Sequence, residues 1–220
     1  VVLDPDVDRS GVVDADGNYL NQNRLVALVA YMVLRDHPGS TIVTDSTTSN
    51  GLKRYIENLG GKHCRYMRGY KNVIDKGILL NEQGVDCAVA METSGHCAFR
   101  ENRFLDDGAY LAVKLLVEMA RLGKGTPLTS LLADLEEPAE ASELRLEVRP
   151  DYATNEVMEE MVDLVKAITK GNDQWEAEKE NYEGHRVCVD EGNGKFGWFS
   201  VRQSLHDPIV IINIESEVEG

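Results

Sequence analysis

Apolar residues recur along this chain in two rhythms, one helical with a period near 3.6 and one of short alternating or continuous runs. The first run, VVLD, reads as a short strand that leads into a polar loop. GVVDADGNYL then reads as a hairpin, because apolar runs flank an Asp16-Gly17 turn. From residue 21 the spacing turns helical. QNRLVALVAYMVLRDH keeps its apolar residues at helical intervals and stops before Pro38-Gly39. TIVTD, KHCRYM and DCAVAM read as strands, and SNGLKRYIENLGG and KNVIDKGILLNEQG as the helices between them. Strands alternating with helices over 41–91 predict right-handed crossovers and a parallel sheet. Residues 106–123, DDGAYLAVKLLVEMARLG, predict a further helix, with acids at its start and Arg121 near its end, as the macrodipole favours.

Near Leu135 the pattern breaks. LEEPAEASE is acidic, Ala-rich and interrupted by Pro138, which predicts a linker. Beyond it the order changes to a strand (ELRLEV), a helix over 154–170 and three strands (HRVCVD, KFGWFSVRQ, PIVIINIE), which predicts a small α+β unit.

Charge narrows the partners. A formal net charge of −15 disfavours duplex nucleic acid and anionic membrane, while leaving room for a small anion in a local basic pocket. No apolar run is long enough to span a bilayer, and no signal peptide is visible. Cys64, Cys87, Cys97 and Cys188 are scattered without a CxxC pair, which predicts reduced thiols of an intracellular protein. The cytoplasm is the expected compartment, with a plastid as the alternative. The chain begins without Met, inside an apolar strand, so a fragment or processed product is expected.

The first chemistry-bearing stretch is LDPDVDRSG, residues 3–11. Asp4, Asp6 and Asp8 sit at alternate positions, and Pro5 favours a curved loop over a regular strand. Three converging carboxylates raise one another's pKa unless a cation sits among them, and their oxygens suit Mg²⁺ or Ca²⁺. Arg9 does not suit a metal ligand but does suit an anion that also touches the metal, such as a phosphate. Three other readings stand beside this one. An EF-hand needs Gly and Glu where Arg9 and Ala15 stand. An aspartyl-phosphate phosphotransferase would use Asp4 as nucleophile. A plain solvated acidic turn is the third.

Three more clusters carry candidate chemistry. METSGHCAFRENRF, residues 91–104, follows a buried strand, at the edge where α/β sheets bind ligands. Its Glu92, Ser94 and His96 can read vicinal sugar hydroxyls, and His96 can shuttle a proton near neutral pH. The competing reading is an ordinary exposed loop. RQSLHDP, residues 202–208, offers Arg202, Ser204, His206 and turn amides to a phosphate, or is simply a polar turn. RGYKNV places Arg68 and Lys71 at the start of a helix, as an anion site or as surface charge.

Taken in order, these stretches resemble the α-D-phosphohexomutases: phosphoglucomutases, phosphomannomutases and phosphoglucosamine mutases. DPDVDRSG resembles the family's magnesium loop (DxDxDR), METSGH its sugar loop (GEXSGH), and VRQSLHDPIVIINIE its phosphate loop (RxSxTxP, then a strand ending in Glu). FLDDGAY and RGYKNV also fall where the family carries comparable stretches. The resemblance implies a four-domain, heart-shaped enzyme that moves a phosphoryl group between the 1- and 6-positions of a hexose. It does so through a phosphoserine and a hexose bisphosphate. On this resemblance residues 1–20 close the second domain. Residues 21–137 form a three-layer α/β/α third domain with a mostly parallel sheet, and 140–220 a small α+β fourth domain. Asp4, Asp6 and Asp8 would hold Mg²⁺, and Arg9 would neutralise the transferring phosphoryl. Glu92 and Ser94 would bind sugar hydroxyls, and His96 would assist proton transfer. Lys71, Arg202, Ser204 and His206 would complete the substrate contacts. Met91 replaces the first Gly of the sugar loop, and Leu205, His206 and Asp207 alter the phosphate loop. The family's serine loop, like TASHNP, has no counterpart here, so an amino-terminal half is the expected partner. The alternative is a non-catalytic descendant that binds a sugar phosphate or serves as an assembly subunit.

Overall fold

Val2–Leu3 (β1) and Ser10–Gly11 (β2) pair antiparallel, with Val2 opposite Gly11 and Leu3 opposite Ser10. The acidic run is therefore the loop of a minimal hairpin. This is a computed structural model, and it describes residues 1–20, 22–204 and 207–219. The chain divides into two units, Val1–Glu136 and Glu137–Gly220.

In the first unit, residues 12–20 make the expected hairpin turn. Val13 bridges Tyr19, and Gly17 takes a φ of 86° that suits its lack of a side chain. Asn23–Asp36 (α1) follows, rich in Leu, Val and Ala, and nearly every apolar residue along it is buried. Thr41–Asp45 (β3), Asn50–Asn58 (α2), Lys62–Tyr66 (β4), Tyr70–Glu82 (α3) and Cys87–Met91 (β5) then alternate. The Ser49 hydroxyl caps α2 by accepting from Leu52 N–H at 3.0 Å. Strand order is β4-β3-β5 in parallel, as the alternating pattern predicts, and Cys97–Phe99 (β6) adds an antiparallel edge beside β5.

Gly108–Leu122 (α4) starts two residues later than the sequence pattern suggests, because Asp107 is its cap and accepts from Tyr110 N–H at 2.8 Å. Helices cover both faces of the sheet. α1, α2 and α4 bury Leu28, Ile42, Leu52, Phe99 and Leu111 in one core. α3 closes a smaller one around Val43, Val73, Cys87 and Ala90. Arg35 Nη1 of α1 donates to both oxygens of the buried Glu118 carboxylate of α4 at 2.6 and 2.8 Å, joining two helices of the larger layer.

The second unit is antiparallel. Glu140–Glu147 (β7), Thr154–Lys170 (α5), Trp175–Ala177 (β8), His185–Gly192 (β9), Lys195–Gln203 (β10) and Ile209–Ser216 (β11) form a sheet of order β7-β11-β10-β9-β8. α5 packs on it through Met158, Val162 and Val165 against Val201, Val210 and Ile212. β7 begins at Glu140, inside the stretch expected to be linker. Its apolar content is low there, but eight register pairs with β11 extend it backwards. Cys64, Cys87, Cys97 and Cys188 are all free thiols, as expected. No helix among the described residues is long and apolar enough to cross a membrane.

Candidate active site

Two hairpin loops meet in the first unit. The first is Asp4–Arg9, between β1 and β2. The second is Glu92–His96, between β5 and β6. A bridge between Arg9 and His96 joins them, and Ser10 N–H reaches Gly95 O at 3.4 Å. The amino end of α4 locks the junction from a third side. Gly108 N–H donates to Val7 O at 3.0 Å, and the Ser10 hydroxyl donates to Gly108 O at 2.5 Å. A Cβ on Gly108 would lie 2.7 Å from the Arg9 carbonyl, and one on Gly95 would lie 2.7 Å from Ser10 O. Only glycine allows this approach. The loop also holds Val7 at φ 66°, a left-handed conformation that costs a β-branched residue roughly 1–3 kcal/mol and that the Gly108 contact helps to hold.

Within the acidic loop, Asp4, Asp6 and Asp8 each offer a carboxylate oxygen, all within 4.8 Å of one another. Arg9 closes on Asp4 twice, its backbone N–H donating to Oδ1 at 3.1 Å and its Nε–H to Oδ2 at 2.7 Å. Burial would raise the Asp4 carboxyl, but the Arg9 donors outweigh it and hold it at about 2. Asp8 shifts the other way. Burial, with the Asp6 and Asp4 charges, pushes it up against the pull of His96. Asp8 Oδ1 is buried and has no hydrogen-bond partner among the described residues. A hard oxygen set whose buried Asp8 Oδ1 has only a 3.9 Å ion pair with Arg9 Nε fits Mg²⁺, which bonds a few carboxylates and keeps several waters.

The second loop is tied down from below. Asp45, at the carboxyl end of β3, is 0 % exposed. Its Oδ2 accepts from Thr93 N–H and the Thr93 hydroxyl at 2.6 and 2.7 Å, and its Oδ1 from Thr47 N–H and hydroxyl at 2.9 and 2.6 Å. Glu92, 6 % exposed, accepts from Gly69 N–H at 2.7 Å and from the Ser94 hydroxyl at 3.3 Å. Burial first, then the Asp45 charge, raises the Glu92 carboxyl above its ordinary range. The Gly69 bond brings the start of α3 to this loop, so Tyr70 stacks on His96 with ring centroids 4.9 Å apart. Lys71 lies exposed in the first turn of α3.

His96 stands between the loops. Its Nδ1 is 2.6 Å from Asp106 Oδ2 and 3.7 Å from Asp8 Oδ2. Burial alone would lower its pKa, but Asp106, Asp8 and Glu92 outweigh that and raise it. Asp8, His96 and Asp106 thus form a second acid–imidazole cluster beside the three aspartates.

The structure brings Asp4, Asp6, Asp8, Arg9, Glu92, Ser94 and His96 into one neighbourhood. Asp45 and Asp106 belong to it too, and the sequence pattern does not single them out. Their partners stand 48 and 10 residues away, and only strand register and turn geometry join them. In the second unit, Arg202 lies one residue before the end of β10, with its side chain 4 % exposed. Its Nε–H donates to Asn213 at 3.2 Å, and its guanidinium lies 3.8 Å from Glu143. Ser204 N–H closes the following turn onto Ile209 O at 2.8 Å, and the Ser204 hydroxyl accepts from Asp207 N–H at 3.4 Å. His206 lies outside the described residues.

Residues 21–138 match the family model described as phosphoglucomutase/phosphomannomutase, alpha/beta/alpha domain III. A phosphomannomutase/phosphoglucomutase of Pseudomonas syringae is 29% identical over the whole of this chain and 43% of its own length. A crystal structure of a phosphoglucomutase/phosphomannomutase family protein from Burkholderia thailandensis superposes with a TM-score of 0.76. It is 29% identical, over 99% of this chain and 42% of that one. The fold extends to an N-acetylphosphoglucosamine mutase of Aspergillus fumigatus, in complex with GlcNAc-6P and magnesium. That pair is 15% identical, with a TM-score of 0.59, over 98% of this chain and 48% of that one. The chain thus spans less than half the length of these proteins.

Proposed function

The chain belongs to the phosphoglucomutase/phosphomannomutase family, and on that premise we propose that it supplies the metal- and sugar-binding half of a phosphohexomutase site. The reaction would interconvert hexose 1-phosphate and hexose 6-phosphate, with a phosphoserine from an amino-terminal half. The observation that carries this reading is the junction of the two loops, where the three aspartates lie beside the Glu92–His96 turn, with Glu92 buried and Ser94 and His96 half-buried.

Asp4, Asp6 and Asp8 would hold Mg²⁺, which when bound supplies charge neutralisation to the phosphoryl group. Arg9 is oriented by Asp4 through Nε, and its side chain stays 45% exposed, so the guanidinium is available to an incoming phosphate. Glu92 and Ser94, already hydrogen-bonded to each other, would exchange that bond for sugar hydroxyls. His96, on the other side of the loop, would take and return the proton of the reacting hydroxyl. Arg202, Ser204 and His206 of the second unit would hold the non-transferring phosphate, and Lys71 at the start of α3 would be a separate anion contact. Bound magnesium and GlcNAc-6P in the Aspergillus relative support the choice of metal and ligand class.

A second reading, sugar-phosphate binding without turnover, draws on Arg202. Its guanidinium is buried against Asn213 and Glu143, which weakens its claim on a substrate phosphate. Co-expression with the amino-terminal half of a family member tests both. Magnesium-dependent conversion of glucose 1-phosphate to glucose 6-phosphate, abolished by Asp6→Asn, supports the mutase reading. A stable complex that binds a hexose bisphosphate without converting it supports the second and contradicts the first.

A further inference from the structure

We propose that Asp106 is a positioning residue that fixes His96 as the Nδ1–H tautomer, leaving Nε2 as the nitrogen that exchanges protons. The role of the exchanged proton rests on the mutase reading; the tautomer does not.

The geometry fixes the Nδ1 edge and one face of the ring. Asp106 Oδ2 lies 2.6 Å from His96 Nδ1, and Asp106 Oδ1 accepts from Cys97 N–H at 3.2 Å. The backbone of Asp106 bridges Ala98, and Asp107 N–H donates to Cys97 O at 3.3 Å, so the carboxylate is carried on a paired segment. Tyr70 stacks on one face of the imidazole with an interplanar angle of 24°, which resists tilting of the ring toward that side. Asp8 Oδ2, at 3.7 Å, is too distant for a hydrogen bond and contributes charge alone.

A metal shared between the two groups does not explain the 2.6 Å contact. Ligands held about 2.0–2.2 Å from one ion, at a right angle or more, stand roughly 3 Å apart. The contact is a hydrogen bond. An ionised carboxylate only accepts, so Nδ1 must carry the hydrogen and the neutral ring presents a bare Nε2.

The Cys97 amide makes this falsifiable. In Asp106→Asn the side chain has one acceptor and one donor. Cys97 N–H, fixed in the β-ladder, requires the carbonyl oxygen. The amide nitrogen is then turned toward His96, and Nδ1 must accept. The variant should therefore invert the tautomer rather than merely loosen the ring.

The test is nitrogen NMR of the 15N-labelled chain in alkaline solution, where the imidazole is neutral, with His96 assigned by the signal lost in His96→Gln. The wild type should show Nδ1–H in at least about tenfold excess, as a charge-assisted hydrogen bond demands. Asp106→Asn should move the population to Nε2–H with the remaining backbone spectrum unchanged. An Nε2–H wild type overturns the proposal even if the variant fails to fold. So does an Nδ1–H form that persists in a folded Asp106→Asn chain. Neither result depends on turnover, so the mutase reading can fail in the co-expression assay while this inference stands.

Discussion

Arg9 and Asp4 act as one structural piece, because two donors of the arginine hold both oxygens of the carboxylate. Each oxygen keeps a second lone pair, so Asp4 can still ligate an ion. Asp6 is the exposed member of the three. Asp6→Asn should therefore lower Mg²⁺ affinity about tenfold or more by calorimetry, with an unchanged circular dichroism spectrum. Asp45 behaves oppositely. Each of its oxygens takes one backbone N–H and one hydroxyl, so an amide leaves one backbone donor facing an NH₂ group. Asp45→Asn should cost about 1–3 kcal/mol in urea unfolding, and exchange protection at Thr93 or Thr47 should fall. Legibility in the sequence divides the same way. Alternate spacing displays Asp4, Asp6 and Asp8, and Glu92, Ser94 and His96, as sets. Asp45 and Asp106 act across the sheet and across a turn, and no local spacing marks them.

At the level of elements, the long helices and the buried parallel strands are legible because periodicity accumulates over many residues. Cys97–Phe99 and Trp175–Ala177 are too short for any period to register, yet the first decides the site. By pairing with β5 it turns Glu92–His96 from an open strand-to-helix loop into a tight hairpin loop, with Glu92 N–H donating to His96 O at 2.9 Å. The amino end of α4 is the second structural determinant. Gly108→Ala would drive a methyl group into the Arg9 backbone, which cannot yield as a side chain would. It should cost about 1–3 kcal/mol in urea unfolding, as overpacking does, and weaken Mg²⁺ binding although residue 108 bears no ligand. Wild-type affinity in this variant would detach the acidic loop from α4.

At the scale of the molecule, the two units carry opposite histidine responses to acid. His185 of the second unit is buried, which with Lys166 lowers its pKa below the ordinary histidine value. The unfolded chain then binds more protons, so the stabilisation is full above about 6.5 and declines as pH falls below it. Carboxylates with lowered values, such as Glu143, lose their contribution only in stronger acid. His96, raised in the first unit, contributes in the reverse sense. Both tryptophans, Trp175 and Trp198, lie in the second unit, so their emission reports that unit alone. Its urea midpoint should fall between neutral pH and pH about 5, and His185→Gln should flatten that dependence.

The most direct measurement of the central claim replaces Mg²⁺ with paramagnetic Mn²⁺ and follows amide line broadening in the labelled chain. An ion gripped by Asp4, Asp6 and Asp8 at the hairpin junction must broaden residues 4–9 first and residues 94–96 with them, saturably, and Asp6→Asn must suppress both. Broadening confined to other acidic stretches, or residues 94–96 left sharp while the acidic loop saturates, would contradict a metal site facing the sugar loop.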